Sequence, residues 1–239
     1  MNNFFFIGLP YMALLIMLVG TIFRSTNYSF KYSSLSSQFL DDRNLHRGSR
    51  PFHWGIIALF FGHLIGFLFP SAIIAWNGEP VRLLIIEVSA LAFALAFLYG
   101  LVILILRRFT NERVQVVTSK MDIYVYMVLV AQVFTGIWIA YSYRWGSTWY
   151  ASSMVPYMRS IFLLSPEIGA VVVLPLMVKI HIVTAFVFVG MIPFTRYVHF
   201  LVYPFKFAWR PMQVVIWNWD RKIIRNPAKG TKTVKSTNN

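Results

Sequence analysis

Four histidines fall inside otherwise apolar stretches of the chain: His53, His63, His181 and His199. Ionisable groups are costly in membrane helices and are kept there for function or as hydrogen bonders between helices. One such histidine fits either role, but four in two matched levels point to chemistry. His53 and His63 stand ten residues apart, about 15 Å along a helix at roughly 1.5 Å per residue. His181 and His199 stand eighteen apart. That is five turns at roughly 3.6 residues per turn, so the two share a face about 27 Å apart. On antiparallel helices His53 then meets His199 at one level, and His63 meets His181 at the other. Helix tilt and the width of a macrocycle must absorb a mismatch of about 12 Å. Each pair offers two neutral imidazoles to one haem iron, so the pattern predicts two haem b groups. The fifth histidine, His46, sits among Asp41, Asp42, Arg43 and Arg47 and reads as a solvated loop residue.

The neighbours of the histidines admit two readings each. Gly55, Gly62 and Gly66 leave a flat surface on which a porphyrin can approach the backbone. Gly62 and Gly66 equally form a GxxxG helix-packing pair. Phe60, Phe61, Phe67 and Phe69 either line a haem edge or face lipid. Arg50, Arg108 and Arg113 are candidates to pair haem propionates, because a guanidinium matches carboxylate geometry; plain anchoring at the membrane surface explains each of them as well. Glu87, the one carboxylate well inside an apolar run, either accepts a proton from a bound quinol or bonds within the helix bundle. Other chemistry lacks support: there is no HExxH zinc signature, no phosphate-cradling glycine loop and no paired-carboxylate site. With no cysteine, the chain holds no iron–sulfur cluster, disulfide or covalently attached haem of its own.

The elements that must position these residues follow from the solvent. Of 239 residues, 58% are hydrophobic and only 13% charged, against roughly 45–50% and 25% in soluble domains. Five apolar runs approach or exceed the roughly 20 helical residues that cross a bilayer; they lie near 4–24, 52–70, 83–106, 122–143 and 172–202. The fourth begins at Asp122 and contains Gln132; the last is longer than a crossing needs. The fold class expected is therefore an all-α membrane protein of five transmembrane helices. No internal repeat is visible, which disfavours an inverted-repeat transporter.

The formal net charge of +14 does not signal nucleic acid, since the basic residues lie in the connections between apolar runs. Lys31, Arg43, Arg47 and Arg50 occupy one connection and Arg107, Arg108, Arg113 and Lys120 another, with eight more lysines and arginines in the tail. Arg82, Arg144 and Arg159 stand on the opposite side. The positive-inside rule then sets the N-terminus outside and the C-terminus in the cytoplasm, in the cytoplasmic (inner) membrane. The run Phe4 to Phe23 precedes the first positive residue, Arg24, the reverse of a secretory signal. Trp145, Trp149, Tyr150 and Tyr157 suggest that the long connection 144–171 lies at the membrane interface. A membrane domain over 1–205 is expected to give way to a basic tail over 206–239, interfacial around Phe207, Trp209, Trp217 and Trp219 and disordered after Asn226.

Over residues 4–204 the chain resembles the gamma subunit family of membrane-bound respiratory nitrate reductase, five-helix cytochromes b. The resemblance rests on "SSQFLDD" at 36–42, "FHWGIIALFFGHLIGFLFP" at 52–70, "RRFTNERVQVVT" at 107–118 and "KIHIVTAFVFVGMIPFTRYVHFLVYP" at 179–204, together with the two histidine spacings. It implies that His53 and His199 hold a haem nearer the cytoplasm and that His63 and His181 hold the outer one. It further implies quinol (menaquinol or ubiquinol) oxidation near the outer haem, with protons released outside. Electrons then cross to an iron–sulfur subunit and a molybdenum catalytic subunit that reduces nitrate in the cytoplasm. This chain would have no nitrate-reducing site of its own. Two departures stand out. Where the family carries a quinol-linked lysine early in the third helix, this sequence has Ile85, with Arg82 one turn earlier as the candidate replacement. The tail after Pro204 also differs.

Two other functions compete. The same cytochrome could serve nitrite oxidation, another molybdenum enzyme or sulfur metabolism, which copurified subunits would distinguish. Alternatively, the chain is a haem-free transporter or anchor whose histidines relay protons or join helices.

Overall fold

The structure is a computed structural model that describes residues 1–27, 42–198 and 201. His199, most of the "SSQFLDD" segment, the junction expected at 205/206 and the basic tail lie outside the described residues. Met1–Leu201 forms one compact unit. Five helices are long and apolar enough to cross a membrane: Phe4–Asn27, Leu45–Leu68, Pro80–Thr110, Lys120–Ser142 and Leu176–Phe194. No strand occurs among the described residues.

A π-helical turn, Phe4–Gly8, runs directly into α1 (Leu9–Asn27). α2 (Asp42–Leu68) carries both His53 and His63 and stays helical through Pro51. α3 (Pro70–Trp76) and α4 (Pro80–Thr110) each begin on a proline, whose missing N–H needs no partner in the first turn. α5 (Glu112–Gln115) is capped by the Asn111 side chain, which accepts from the Arg113 amide. α6 (Lys120–Ser142) opens with a reciprocal cap: Ser119 Oγ accepts from the Asp122 N–H, and the Asp122 carboxylate accepts from the Ser119 N–H. Trp145 then adopts a left-handed backbone at φ 65° and starts α7 (Gly146–Trp149), a π-helical turn (Tyr150–Met154) and α8 (Val155–Phe162). After α9 (Gly169–Val172), α10 (Leu176–Met191) carries His181 and ends in 3₁₀ turns at Ile192–Phe194 and Arg196–Val198.

The long helices pack as an arc. α2 lies against α4, α4 against α6, α6 against α10, and α10 against α1, whereas the two histidine-bearing helices α2 and α10 make little direct backbone contact. Lipid tails are as apolar as leucine, so close backbone approach rather than water exclusion must join such helices. Three glycines provide it between α2 and α4. A methyl group on Gly55 would lie 2.7 Å from the Phe93 carbonyl oxygen, one on Gly100 would collide with the Phe52 amide, and one on Gly48 would lie 3.1 Å from the Gly100 carbonyl oxygen. Phe52, Phe97, Leu101, Val125, Leu129 and Val133 fill the core beside this seam.

Three sequence expectations are corrected. The last span does not run from 172 to 202 as one helix. Pro175 stands at the N-cap of α10, and at Pro193 the α-helix has already given way to 3₁₀ geometry, since proline cannot donate the helical hydrogen bond. The break packs on α1: Gly20 leaves room for the Pro193 ring, and Arg24 donates to the carbonyls of Pro193 and Thr195. The α-helix that carries His181 therefore ends at Met191. Secondly, the connection 144–171 is folded into a cap of short helices, and one of its aromatics, Tyr157, lies in a core rather than at the surface. Its Tyr157 is only 2% exposed and donates to the Phe6 carbonyl at 2.9 Å, within a second core formed with Met154, Ile161 and Val171. Thirdly, His46 is exposed but sits on the first turns of α2, not in a loop.

The glycine seam generates a stability prediction. Gly100→Ala should overpack the α2–α4 contact and cost about 1–3 kcal/mol. It should lower the thermal unfolding midpoint in detergent. Gly169→Ala, with no atom within 4 Å of the added methyl, should not lower that midpoint. Equal melting of the two variants would contradict the seam.

Candidate functional site

His63 is oriented by its own helix. Its Nδ1 lies 2.8 Å from the Leu59 carbonyl oxygen, which can only accept. The ring proton is thereby assigned to Nδ1 and the lone pair to Nε2, the tautomer of a metal-binding imidazole. Beside it, the side of Gly62 opens onto space, so a planar group could approach the backbone there. Gly66 instead packs under Tyr150, where a methyl would lie 2.9 Å from the ring. Of the three glycines considered from sequence, Gly55 thus serves helix packing, Gly66 admits an aromatic ring, and Gly62 alone leaves open surface; Gly62 and Gly66 do not act together as a GxxxG pair.

Tyr150 meets His63 edge-on, with ring centroids 5.3 Å apart, and its hydroxyl donates to the His63 carbonyl at 3.1 Å. Burial pushes the Tyr150 phenol up to about 12, so it remains a donor at ordinary pH. The π-helical turn at Tyr150–Met154 that positions this ring interrupts regular helix geometry, as such turns often do at functional sites. Arg159 closes the end of α2 by donating to the Phe67 and Leu68 carbonyls at 2.9 and 3.2 Å. Phe60, Phe61 and Phe69 are exposed, as lipid-facing residues would be.

His181 is oriented by a neighbouring helix. Its Nδ1 lies 3.1 Å from the Gln132 carbonyl oxygen and 3.0 Å from Thr135 Oγ1, both on α6. Its Nε2 lies 3.1 Å from the Gln132 side-chain amide, whose oxygen accepts from Thr184 Oγ1 at 2.5 Å. The ring rests on Gly136, where a methyl would come within 3.1 Å of Cε1. His63 and His181 are close enough to interact electrostatically.

Among the described residues no three or more His, Cys, Asp or Glu side chains converge on one point. The donor set at this level is two imidazoles, which suits an iron whose other ligands come from a macrocycle. α2 and α10, held apart by α4 and α6, suit the same group. Ligation at His181 Nε2 would require the Gln132 amide to swing aside, which its flexible, unbranched side chain permits.

The His53 end is a cleft. His53 Nδ1 lies 2.7 Å from the Ser49 carbonyl oxygen, repeating the i−4 arrangement of His63. Ser49, Phe52, Arg107, Arg108 and Tyr197 line the cleft with it. Arg108 is 8% exposed. Its Nη1 lies 3.6 Å from the Asp122 carboxylate and 3.3 Å from Thr118 Oγ1, while its buried Nε has no hydrogen-bond partner among the described residues. Asp122 also holds Arg196 at 3.2 Å. Of the propionate candidates, Arg108 lines this cleft, whereas Arg50 and Arg113 are exposed and do not. His199, the expected partner of His53, lies outside the described residues.

Arg82 and Glu87 stand near the start of α4, at the end of the bundle that holds His63. Arg82 is exposed, and its guanidinium lies 5.2 Å over the Trp76 ring. Ile85, in place of the expected lysine, is 57% exposed. Glu87 Oε1 accepts from the Ser147 amide and hydroxyl at 2.8 and 2.7 Å. Ser147 is bound in turn by Asn77 at 3.0 Å. One oxygen of Glu87 is thus tied to the segment that carries Tyr150. Sequence reasoning missed Tyr150, Thr135, Gly136, Arg107 and Arg196. A Gln-x-x-Thr-Gly run inside an apolar helix was the available signal for the α6 residues; Tyr150, treated as an interfacial aromatic, had none.

Comparisons with known proteins agree with this architecture. Residues 2–218 match the family described as nitrate reductase gamma subunit. The nitrate reductase gamma chain of Bacillus subtilis (strain 168) is 31% identical over 205 residues, covering 84% of this chain and 92% of that one. The respiratory nitrate reductase 2 gamma chain of Escherichia coli (strain K12) is 29% identical, covering 90% of this chain and 96% of its own length. The respiratory nitrate reductase 1 gamma chain of the same organism is 28% identical, with 90% and 97% covered. With five membrane-length helices and a match over most of its length, this chain belongs to the nitrate reductase gamma subunit family of multi-pass membrane proteins.

Proposed function

We propose that the chain is the quinol-oxidising di-haem cytochrome b subunit of a nitrate reductase, delivering electrons to an iron–sulfur subunit and, beyond it, a molybdenum catalytic subunit. The observation that supports this most is the His63–His181 pair. The two imidazoles come from helices that pack little on each other, and each has its Nδ1 at a carbonyl oxygen. The relatives' own names, nitrate reductase gamma chains, support the partner complex.

Haem, when bound, supplies the one-electron couple through which the two electrons of a quinol pass singly. The work of the chain is to hold and orient. His63 and His181 would hold the iron of one haem, and His53 with His199 that of the other. Arg108 would pair a propionate in the His53 cleft, where its buried Nε leaves donor capacity for a carboxylate. Arg82 and Glu87, at the His63 end, are the quinol-side residues: a cation to hold the quinol oxygen and a carboxylate to take a proton. By the positive-inside rule the basic His53 end faces the cytoplasm, where the iron–sulfur and catalytic subunits dock, and quinol protons leave on the opposite side.

A reduced-minus-oxidised visible spectrum of the purified chain, with haem quantified against protein, tests the reading directly. Two non-covalent b-type haems per chain are expected; none, in folded and haem-replete material, would overturn it. His63→Ala and His181→Ala should each remove one haem and stop quinol oxidation, and two haems retained in both variants would refute this ligand pair. Arg82→Ala should raise the KM for quinol with both haems kept. Unchanged quinol kinetics would remove Arg82 from the site.

A further inference from the structure

α6 carries none of the proposed iron ligands, yet it holds the His181 ring more closely than α10 does. The Nδ1 of His181 lies 3.0 Å from Thr135 Oγ1 and 3.1 Å from the Gln132 carbonyl oxygen. The Thr135 hydroxyl has its own acceptors, the Ala131 and Gln132 carbonyls at 2.7 and 3.1 Å. Its proton is therefore directed at the backbone of α6, and its lone pair is left to accept from His181 Nδ1–H. The imidazole proton is shared between a hydroxyl and a carbonyl of the same turn. Thr135 is 4% exposed, so no water competes for these bonds. Gly136, the next residue, keeps the turn open to the ring. His63 and His53 differ: each has its Nδ1 at the carbonyl four residues back on its own helix.

We propose that Thr135 is a positioning residue that fixes the tautomer and raises the basicity of His181, and so lowers the reduction potential of the haem at that level. This rests on the ligand assignment proposed above. Hydrogen bonds donated by the outer nitrogen of a ligating imidazole orient the ring and strengthen it as a donor. A stronger donor favours the ferric over the ferrous iron, so loss of the Thr135 bond raises the potential. The remaining bond to the Gln132 carbonyl keeps the ring in place.

The test is a redox titration of the full-length chain, purified with its haem and followed by visible and electron paramagnetic resonance spectra, in wild type, Thr135→Val and Thr135→Ser. Thr135→Val should raise one haem potential. A roughly five-fold change in the reduced-to-oxidised ratio, the size that one net hydrogen bond supports, is about 40 mV at roughly 59 mV per tenfold for one electron. The second haem should not move, and Thr135→Ser, which keeps the hydroxyl, should retain both wild-type potentials. Loss of one haem in Thr135→Val would overturn the proposal, because the bond to the Gln132 carbonyl is expected to keep the ring in place. Unchanged potentials in Thr135→Val, equal shifts of both haems, or a serine variant that behaves like valine would overturn it. His181→Ala in the same series keeps the two questions apart: if it retains two haems, the ligand assignment fails, whatever Thr135 does.

Discussion

In a bilayer a polar ring must find all of its hydrogen bonds inside the protein, because no water is at hand to complete them. That constraint organises this chain. His53 and His63 meet it locally, through the carbonyls of Ser49 and Leu59. His181 meets it across helices, through Gln132 and Thr135. Each solution also selects a tautomer, since a carbonyl accepts only N–H and so leaves the lone pair on the opposite nitrogen. The bond that satisfies an intramembrane histidine is thus the bond that leaves its other nitrogen free to accept.

The packing follows from the same solvent. Close backbone contact joins α2 to α4 at Gly48, Gly55 and Gly100, and the cap over residues 146–162 is tied down by hydrogen bonds to backbone acceptors, from buried Tyr157 to Phe6 and from exposed Arg159 to the end of α2. The histidine helices are left as neighbours through intermediaries. α4 and α6 stand between them in the order of contacts, and that spacing suits a flat cofactor between α2 and α10. The His53 end solves a different problem. A nearly buried Arg108 is tolerated there because Asp122, which also caps α6 and holds Arg196, supplies a compensating charge. A lone buried guanidinium would be strongly destabilising.

Much of this was legible before any coordinates. Hydropathy located the five spans, since membrane length is a property of composition over about 20 residues. The spacing of His53 and His63 on one uninterrupted helix held, because nothing in α2, not even Pro51, breaks it. The α-helix that carries His181 is shorter than hydropathy suggests, because it gives way to a 3₁₀ turn at Pro193, a residue that hydropathy does not weigh as a helix breaker. Tyr157 was taken for an interfacial aromatic from its neighbours in sequence, while its actual partner, Phe6, is far away along the chain.

The sequence by itself determined the class, the spans, the intramembrane histidines and the family, because each depends on residue type and local order. Only the tertiary structure decided which glycines pack and which leave open surface, that Glu87 is bound to Ser147, that Arg108 rather than Arg50 or Arg113 lines the His53 cleft, and that His181 leans on α6. Those are contacts between residues distant in the chain. Periodicity says which face of a helix a residue occupies, but only the packing of the other helices says what that face meets.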